Sequence, residues 1–330
     1  YQAISLAQSH CLSYGITSFQ DAGSTFEEIE RYQSLAEQDS LYLRLWVMLR
    51  KPYDEIKDHM DGFPIIRAGK DLFTCRAIKA AMDGALGSYG AWLLEPYTDN
   101  PGFVGQNTTS IEEIDNMAQL AMDKGMQMCV HAIGDRGNRE VINVYEKEFK
   151  AHPDKQDLRW RIEHAQVINE NDFHFFADYK IIPSVQPTHA TSDMYWTNER
   201  LGEEREKNSY AYKQLLQTNG WMPLGTDFPV EDISPIKTFF AAVVRKDAKG
   251  FPQNGFHFEN ALSRQEAIRG MTIWAAKAAF QENEKGSLEK GKVADFIILD
   301  SDIMKEAPEK LLNIKVLKTF LGGEKVYEKK

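Results

Sequence analysis

Histidine and aspartate side chains follow several apolar segments, at the point where each segment ends. His131 lies in VHAIGD, His164 in RIEHAQ and Asp227 in LGTDFP. Neutral imidazole and carboxylate groups are ligands for divalent ions such as Zn²⁺, Fe²⁺ and Mn²⁺. A bound ion lowers the pKa of a water and polarises a carbonyl, and a carboxylate such as Asp227 can accept the proton that is released. These residue types therefore indicate a metal-dependent hydrolytic site.

The elements that must position these side chains alternate between strands and helices. Nearly continuous apolar runs, typical of parallel strands buried on both faces, occupy 16–21, 41–49, 76–82, 126–133, 160–165, 181–187 and 222–226. Helical patterns occupy 25–38, 110–124, 136–150, 169–179, 210–219, 235–246 and 263–280. Thr25 with an early pair of glutamates, and Ser110 with Glu113 three residues later, predict capped helix starts, the second as a capping box. This rhythm predicts repeated βα units, in which catalytic groups gather at the carboxyl ends of the strands.

The end of the chain has a different pattern. Segments 286–300 and 314–328 resemble short antiparallel strands with glycine turns. Such strands are marginal alone and need a partner sheet, which the rest of the sequence does not offer. We expect two parts: a hydrolase barrel over 1–283 and the strands of a composite sandwich over 284–330.

A lysine and two acids near these strand ends need separate treatment. Alternation places Lys79, Ala81 and Asp83 on one strand face, and a buried lysine is costly unless it is deprotonated or modified. Glu163 is next to His164 in its strand, so alternation predicts that it faces away and supports the barrel wall. The GALGSYG segment after Asp83 matches no phosphate-binding motif, and we interpret it as a flexible rim of the site.

Composition excludes other classes of protein. The 330 residues carry a formal net charge of −10 and show no basic patch, which argues against nucleic-acid binding. No apolar stretch is long enough to suggest a membrane span. Cys11, Cys75 and Cys129 are widely spaced and are expected to be small buried hydrophobes. We expect a cytoplasmic protein with a small-molecule substrate, and a homo-oligomer is compatible with the sequence.

Several longer motifs together resemble a known family. They are HAIGDRGNREVINVYE from His131, RIEHAQ from Arg161, SVQPTHATSD from Ser184 and LGTDFPVEDISP from Leu224. They resemble the amidohydrolase superfamily and, more narrowly, the amidohydrolase-3 (YtcJ-like) metal-dependent hydrolases. GITSFQDAG, MDGALGSYGAW and GSLEKGKVADFIILD fit the same family, so the resemblance covers essentially the whole chain.

The resemblance implies a fold, an activity and a set of site residues. The fold would be a TIM-like (β/α)8 barrel with a small β-sandwich built from both chain ends. The activity would be hydrolysis of an amide or other non-peptide C–N bond, with a metal-activated water as nucleophile and zinc, as one or two ions, as cofactor. The implied ligands are His131, His164, Lys79 and Asp227, and the implied substrate-binding residues are His189, Asp83 and Arg161. Asp227 would also be the acid/base. Lys79 or Asp83 would lie near the fourth-strand position, where some superfamily members use a carbamylated lysine as a bridging ligand.

The chain departs from the family pattern in one respect. The superfamily has a His-x-His pair at the end of its first barrel strand, and this chain contains no such pair. Seven strands are also one fewer than a (β/α)8 barrel needs. We therefore expect that the chain lacks the N-terminal part, with its first strand and two ligands, and that metal binding and activity are weakened.

Two other functions remain open from the sequence. A glycoside hydrolase would use a carboxylate pair such as Glu163 and Asp227, and Trp92, Tyr195 and Trp196 could stack on sugars. A non-catalytic pseudo-enzyme or regulatory binding protein could keep the same barrel and pocket. Insensitivity to chelators would favour the first, and an upstream segment carrying the His-x-His pair would argue against the second.

Overall fold

A curled, mostly parallel sheet wrapped by helices forms the larger part of the structure. The computed structural model describes residues 2–330. The strands are β1 (Ser18–Ser24), β2 (Arg44–Leu49), β3 (Ile65–Arg67), β4 (Phe73–Ala81), β5 (Gln127–Ala132), β6 (Arg161–His164), β7 (Ile182–Ser184), β8 (Phe296–Leu299), β9 (Val316–Leu321) and β10 (Glu324–Glu328).

Helices connect these strands and cover the outer face of the sheet. They are α1 (Gln2–Ser13), α2 (Phe26–Glu37), α3 (Tyr53–Ile56), α4 (Ala68–Asp71), α5 (Ile111–Lys124), α6 (Asp135–Ala151), α7 (Phe173–Asp178), α8 (Pro187–Asp193), α9 (Thr197–Glu206), α10 (Tyr212–Asn219), α11 (Pro235–Val244), α12 (Arg264–Met271) and α13 (Ile273–Ala278). Within residues 2–330, none of them is both long enough and apolar enough to cross a bilayer.

The strand order confirms the predicted barrel-like fold class. Parallel pairing runs β1-β2-β4-β5-β6-β7, and a parallel bridge from Val185 to Leu224 continues it into the segment predicted as the last strand. The predicted seventh strand is thus reduced to one bridge. Short β3, which the sequence did not predict, pairs antiparallel with β4.

Helix caps show how local sequence sets the element boundaries. Thr25 caps α2 in a reciprocal box with Glu28, as predicted. Ser110 Oγ accepts the Glu113 N–H at the start of α5, but the Glu113 carboxylate accepts the Tyr53 N–H instead of closing the box. The capping box predicted at Ser110 therefore forms by half, and its acid joins α3 to α5.

The predicted helix 263–280 is two helices. It breaks at Thr272, which has φ −127° and ψ −95°, and α13 then crosses the amino end of the sheet. The Ala278 carbonyl accepts hydrogen bonds from Gln127 Nε2 and Arg161 Nη2 at 3.0 and 2.6 Å. Because Gln127 and Arg161 are the first residues of β5 and β6, α13 closes the sheet at the end away from the strand termini that carry the histidines.

Strands β8, β9 and β10 form the small antiparallel sheet that the sequence predicted. Its partner is a helix, where the sequence indicated a need for a second sheet. Cys11 and Leu12 of α1 pack beside Val326 and Tyr327, and the buried Thr319 hydroxyl donates to the Leu12 carbonyl at 2.7 Å. The proposed division at residue 283 stays a prediction. All three cysteines are free and buried, as expected.

The Arg161→Met substitution tests the closure of the amino end. The guanidinium also donates to Gln20 Oε1 at 2.7 Å, so its loss leaves Gln20 Oε1 without this donor and removes one of the two donors to the Ala278 carbonyl. We expect the free energy of unfolding to fall by about 2–3 kcal/mol, measured by urea titration. Arg31→Met, on an exposed face of α2, is the matched control and should unfold like the parent. Equal stability of the two variants would contradict the closure.

Candidate metal centre

Three histidines and one aspartate converge at the carboxyl end of the sheet. His131 is in β5, His164 ends β6, His189 lies in α8 directly after β7, and Asp227 follows the bridged Leu224. The rings of His131 and His164 have centroids 4.4 Å apart, and those of His164 and His189 are 5.7 Å apart. His189 Nε2 lies 2.9 Å from Asp227 Oδ2. The convergence predicted from the strand ends is present.

One ligand atom each from His164, His189 and Asp227 lies within 4.8 Å of the others. This trio differs from the expected ligand set, because it contains His189 and not His131 or Lys79. His131 lies directly beside the trio, against His164. The ligand roles expected for His131 and Lys79 stay predictions.

The residues at the centre fit a divalent ion. His131 Nε2 and His164 Nδ1 are buried and have no hydrogen-bond partner among the described residues. Burial, with the nearby charges of Lys79 and Arg50, lowers the pKa of His131 to about 3, and burial holds the pKa of His164 well below its usual value. Both imidazoles are therefore neutral at physiological pH and offer lone pairs, which is the form that binds a metal.

Two of these residues have left-handed backbone conformations. His164 has φ 77° and Asp227 has φ 58°. Such a conformation costs a non-glycine residue about 1–3 kcal/mol and is found preferentially at functional sites. At both residues it turns the backbone sharply where the strand ends. The side chain therefore does not point to the face that strand alternation would give it.

This turn changes the interpretation of Glu163. Its Oε1 lies 3.9 Å from Arg161 Nη1, and it pairs in register with His131 across β5 and β6. Residues at positions 161 and 163 of a strand share one face, so Glu163 faces the sheet interior together with Arg161. The prediction that Glu163 faces away from the site is wrong, because His164 no longer follows the alternation on which that prediction depends.

Lys79 and Glu163 are opposite charges buried inside the sheet. They are 5% and 6% exposed, Lys79 pairs in register with Cys129, and Cys129 pairs with Arg161. Glu163 Oε1 has no hydrogen-bond partner among residues 2–330. Burial lowers the pKa of Lys79, and the negative charge of Glu163 opposes that shift. Lys79 and Glu163 are thus opposite buried charges inside the sheet, next to the histidines, and Glu163 also has Arg161 at 3.9 Å.

Asp83 acts as a backbone clamp. Its fully buried carboxylate accepts the N–H groups of Trp92, Ile133 and Gly134 at 2.8, 2.9 and 2.8 Å. Burial raises the pKa of Asp83 to about 7, while these three donors favour the ionised form. The clamp fastens segment 84–92 to the end of β5, where the sequence suggested a flexible rim. Its expected role in substrate binding stays a prediction that this burial does not favour.

Arg161 lies at the other end of the sheet, where it donates to Ala278 and Gln20. Its expected role in substrate binding stays a prediction that this placement does not favour.

His189 is held between two acids, one of which the sequence did not indicate. Its Nδ1 lies 3.4 Å from Glu231 Oε1, which also accepts the Ser192 hydroxyl at 2.6 Å. Burial disfavours a charged ring, but the hydrogen bonds to Asp227 and Glu231 outweigh it and raise the pKa of His189 to about 9. Burial likewise opposes the charge of Asp227, and the bond to His189 outweighs it, so the pKa of Asp227 is lowered. Glu231 falls four residues after Asp227, a spacing that could have indicated it.

Two long segments over this end of the sheet are joined to each other. Arg200 donates to the Gly87 carbonyl and pairs with Asp99, and Arg205 donates to the carbonyls of Glu95 and Pro96. These bonds tie segment 84–106 to α9. They form one wall beside the centre, so the two segments act as a single unit.

Comparison with known proteins agrees with this architecture. The amidohydrolase family model matches residues 1–327. An uncharacterized metal-dependent hydrolase from Pyrococcus horikoshii OT3 superposes with a TM-score of 0.79 at 29% identity, covering 92% of this chain and 60% of that chain.

Curated relatives are similar over about three quarters of the chain. "Protein LONG AFTER FAR-RED 3" of Arabidopsis thaliana is 38% identical over 76% of this chain and 42% of its own length. "Putative amidohydrolase YtcJ" of Bacillus subtilis (strain 168) is 34% identical over 77% and 47%. "N-substituted formamide deformylase" of Arthrobacter pascens is 28% identical over 68% and 41%. The chain thus spans less than half the length of these relatives.

A double-mutant cycle tests the pairing of Lys79 with Glu163. Glu163→Gln removes the carboxylate that opposes the buried charge of Lys79, and Lys79→Met leaves the Glu163 carboxylate with Arg161, 3.9 Å away, as its remaining cation, so each should destabilise by about 1–3 kcal/mol. The double variant should lose at least ~1 kcal/mol less than the sum, measured by urea unfolding. The exposed pair Lys57 and Asp54, changed in the same way, is the control and should show no coupling. Strict additivity at 79 and 163 would contradict the pair.

Proposed function

The chain belongs to the amidohydrolase family, and on that premise we propose that its histidine centre binds a divalent metal and hydrolyses an amide or related C–N bond of a small molecule. The observation that carries the proposal is that His164 and Asp227 offer ligand atoms within 4.8 Å of each other, with the ring centroid of His131 4.4 Å from that of His164. The solved metal-dependent hydrolase of the same fold supports a metal, and the deformylase relative supports a C–N bond as the target.

His164 and Asp227 would hold the ion, with His131 as a further ligand through its unpartnered Nε2. Two imidazoles and one carboxylate form a donor set typical of catalytic zinc, and on this ground we propose zinc. Bound there, the ion would polarise a carbonyl and lower the pKa of a water. Glu231 faces the Nδ1 of His189 at 3.4 Å, so this ring has an acidic partner besides Asp227.

The chain's own residues would move the proton. Asp227 is ionised at neutral pH because its pKa is lowered, so its Oδ2 can accept a proton from the attacking water. The same oxygen can return that proton to the leaving nitrogen. His189, held charged by Asp227 and Glu231, is placed to donate a hydrogen bond to the oxygen that develops negative charge.

The glycoside hydrolase alternative is less well supported. Glu163 is 6% exposed inside the sheet, level with His131, so it cannot flank a sugar bond together with Asp227. Trp92 stacks under Arg136, and Tyr195 stacks on Phe251, so these aromatics already have partners. The other alternative, a non-catalytic pseudo-enzyme or regulatory binding protein on the same barrel, is distinguished from an enzyme by the turnover assay below.

Elemental analysis of the purified chain tests the metal centre. We expect about one zinc ion per chain, and a loss of at least ~10-fold in metal content in the His131→Ala, His164→Ala double variant. His174→Ala is the control, because His174 is exposed on α7 and pairs with Asp178. A metal-free parent chain, or equal metal in parent and double variant, would contradict the proposed ligands.

Hydrolysis is tested separately with N-(4-nitrophenyl)formamide, whose product 4-nitroaniline is followed by absorbance. The parent should release it, chelation should stop the release, and added zinc should restore it, because the ion supplies the polarisation and the nucleophile. Stoichiometric metal with no turnover of this formamide or of a panel of simple amides would overturn the catalytic proposal and favour the binding protein.

A further inference from the structure

Arg50 is a free cation at the carboxyl end of the sheet. It comes directly after β2 and is exposed. No ion pair or side-chain hydrogen bond within residues 2–330 involves its guanidinium. The arginines of the nearby wall, Arg200 and Arg205, are by contrast bonded to carbonyls of segment 84–106.

The backbone places Arg50 next to the metal centre. Leu49 pairs in register with Ile78, so Arg50 continues β2 beside Lys79 of β4. Its N–H donates to the Ser24 carbonyl at 2.8 Å, which fixes the end of β2 against the end of β1. β4 pairs in turn with β5, where Ala81 is in register with His131, so the end of β2 is two strands away from that histidine.

Gly23 leaves room for the side chain of Arg50. A Cβ at Gly23 would lie 2.6 Å from Arg50 Cδ and 3.0 Å from Arg50 Cβ, so the arginine stem lies directly on the Gly23 backbone. Any larger residue at position 23 would push the stem away. The stem is thus held in place while the guanidinium remains unpaired.

The charges around the centre are divided between its two sides. Asp227, Glu231 and the charged His189 lie at the β7 side, and Arg50 lies at the β2 side, with three strands between β2 and β7 in the sheet order. The acids at the β7 side repel an anion, whereas nothing neutralises Arg50. A substrate with a negative group would therefore bind with that group at the β2 side.

We propose that Arg50 binds a carboxylate of the substrate, so that the site selects small amides that carry a free carboxylate. A guanidinium matches a carboxylate with two parallel N–H···O bonds, and it stays charged at every physiological pH. This inference rests on the proposed function for the reaction, but the binding of the anion can be measured without turnover.

Binding of two matched probes tests the proposal on the whole chain. N-Acetylglycine carries the carboxylate, and N-acetylglycinamide replaces it with a neutral amide of the same shape. We expect the parent to bind the carboxylate about 10- to 100-fold more tightly by calorimetric titration, since hydrogen bonds between charged groups are the stronger ones. Arg50→Met should abolish this preference and leave the Kd for the neutral amide unchanged, and Arg50→Lys should keep part of it.

Two controls separate the possible failures. Arg136→Met removes a half-exposed arginine at the same end of the sheet, one that stacks on Trp92 and lies near Glu140. This variant should keep the full preference for the carboxylate probe. Metal content measured on every variant should be unchanged by Arg50→Met. A parent with no preference, or an Arg50→Met variant that retains it, would overturn the role of Arg50. If metal and turnover are absent while the preference is present and depends on Arg50, the proposed function fails and the anion site stands.

Where turnover is present, kinetics give a second readout. Arg50→Met should raise KM for N-formylglycine about 10-fold or more, with little change in kcat, because the lost contact is made equally in the ground and transition states. KM for a neutral formamide should not change. An equal loss for both substrates would show a structural effect and would overturn the selectivity.

Discussion

The parallel alignment of β4, β5, β6 and β7 is the constraint on which the site depends. Parallel pairing brings the carboxyl ends of these strands to one edge, so His131, His164 and the residues after β7 meet although they are far apart in the chain. Parallel strands need long crossovers, which the intervening helices provide. Helix α13, bound by Gln127 and Arg161, closes the opposite end of the sheet, so the carboxyl end is the one left accessible to a ligand.

The orientation of the side chains at the site depends on departures from regular strand geometry. His164 and Asp227 leave their strands in the left-handed region, and Asp83 fixes segment 84–92 through three backbone N–H groups. The strain at the two left-handed residues is local, and the packed sheet on either side maintains it. A regular continuation of β6 would turn His164 to the face opposite Glu163, and the ring would then leave the centre.

The sequence predicted the regular parts of the molecule well and the irregular parts poorly. Continuous apolar runs indicated the parallel strands, and Thr25 and Ser110 indicated helix starts, because these signals are local. The break at Thr272 and the inward direction of Glu163 depend on tertiary contacts, which periodicity does not encode. The same holds for Asp83, whose residue type fits substrate binding as well as a backbone clamp. His189 and Glu231 form one unit only because α8 and the turn after Asp227 face each other.

The interior of the sheet contains more buried charged side chains than the stability of the fold requires. Arg161 and Lys79 lie at one level of the strands and Glu163 at the next level toward the carboxyl end, and each is under a tenth exposed. Replacing buried ion pairs with well-packed apolar residues is often neutral or stabilising, so folding alone does not account for keeping them. Glu163 is level with His131 and Lys79 lies one level below it, so both charges are next to two neutral histidines with unpartnered nitrogens. A lysine and a carboxylate there fix the local potential and limit how the rings can turn. The stability lost by burying Lys79 and Glu163 is explained if the histidine centre beside them has to hold a cation in one geometry.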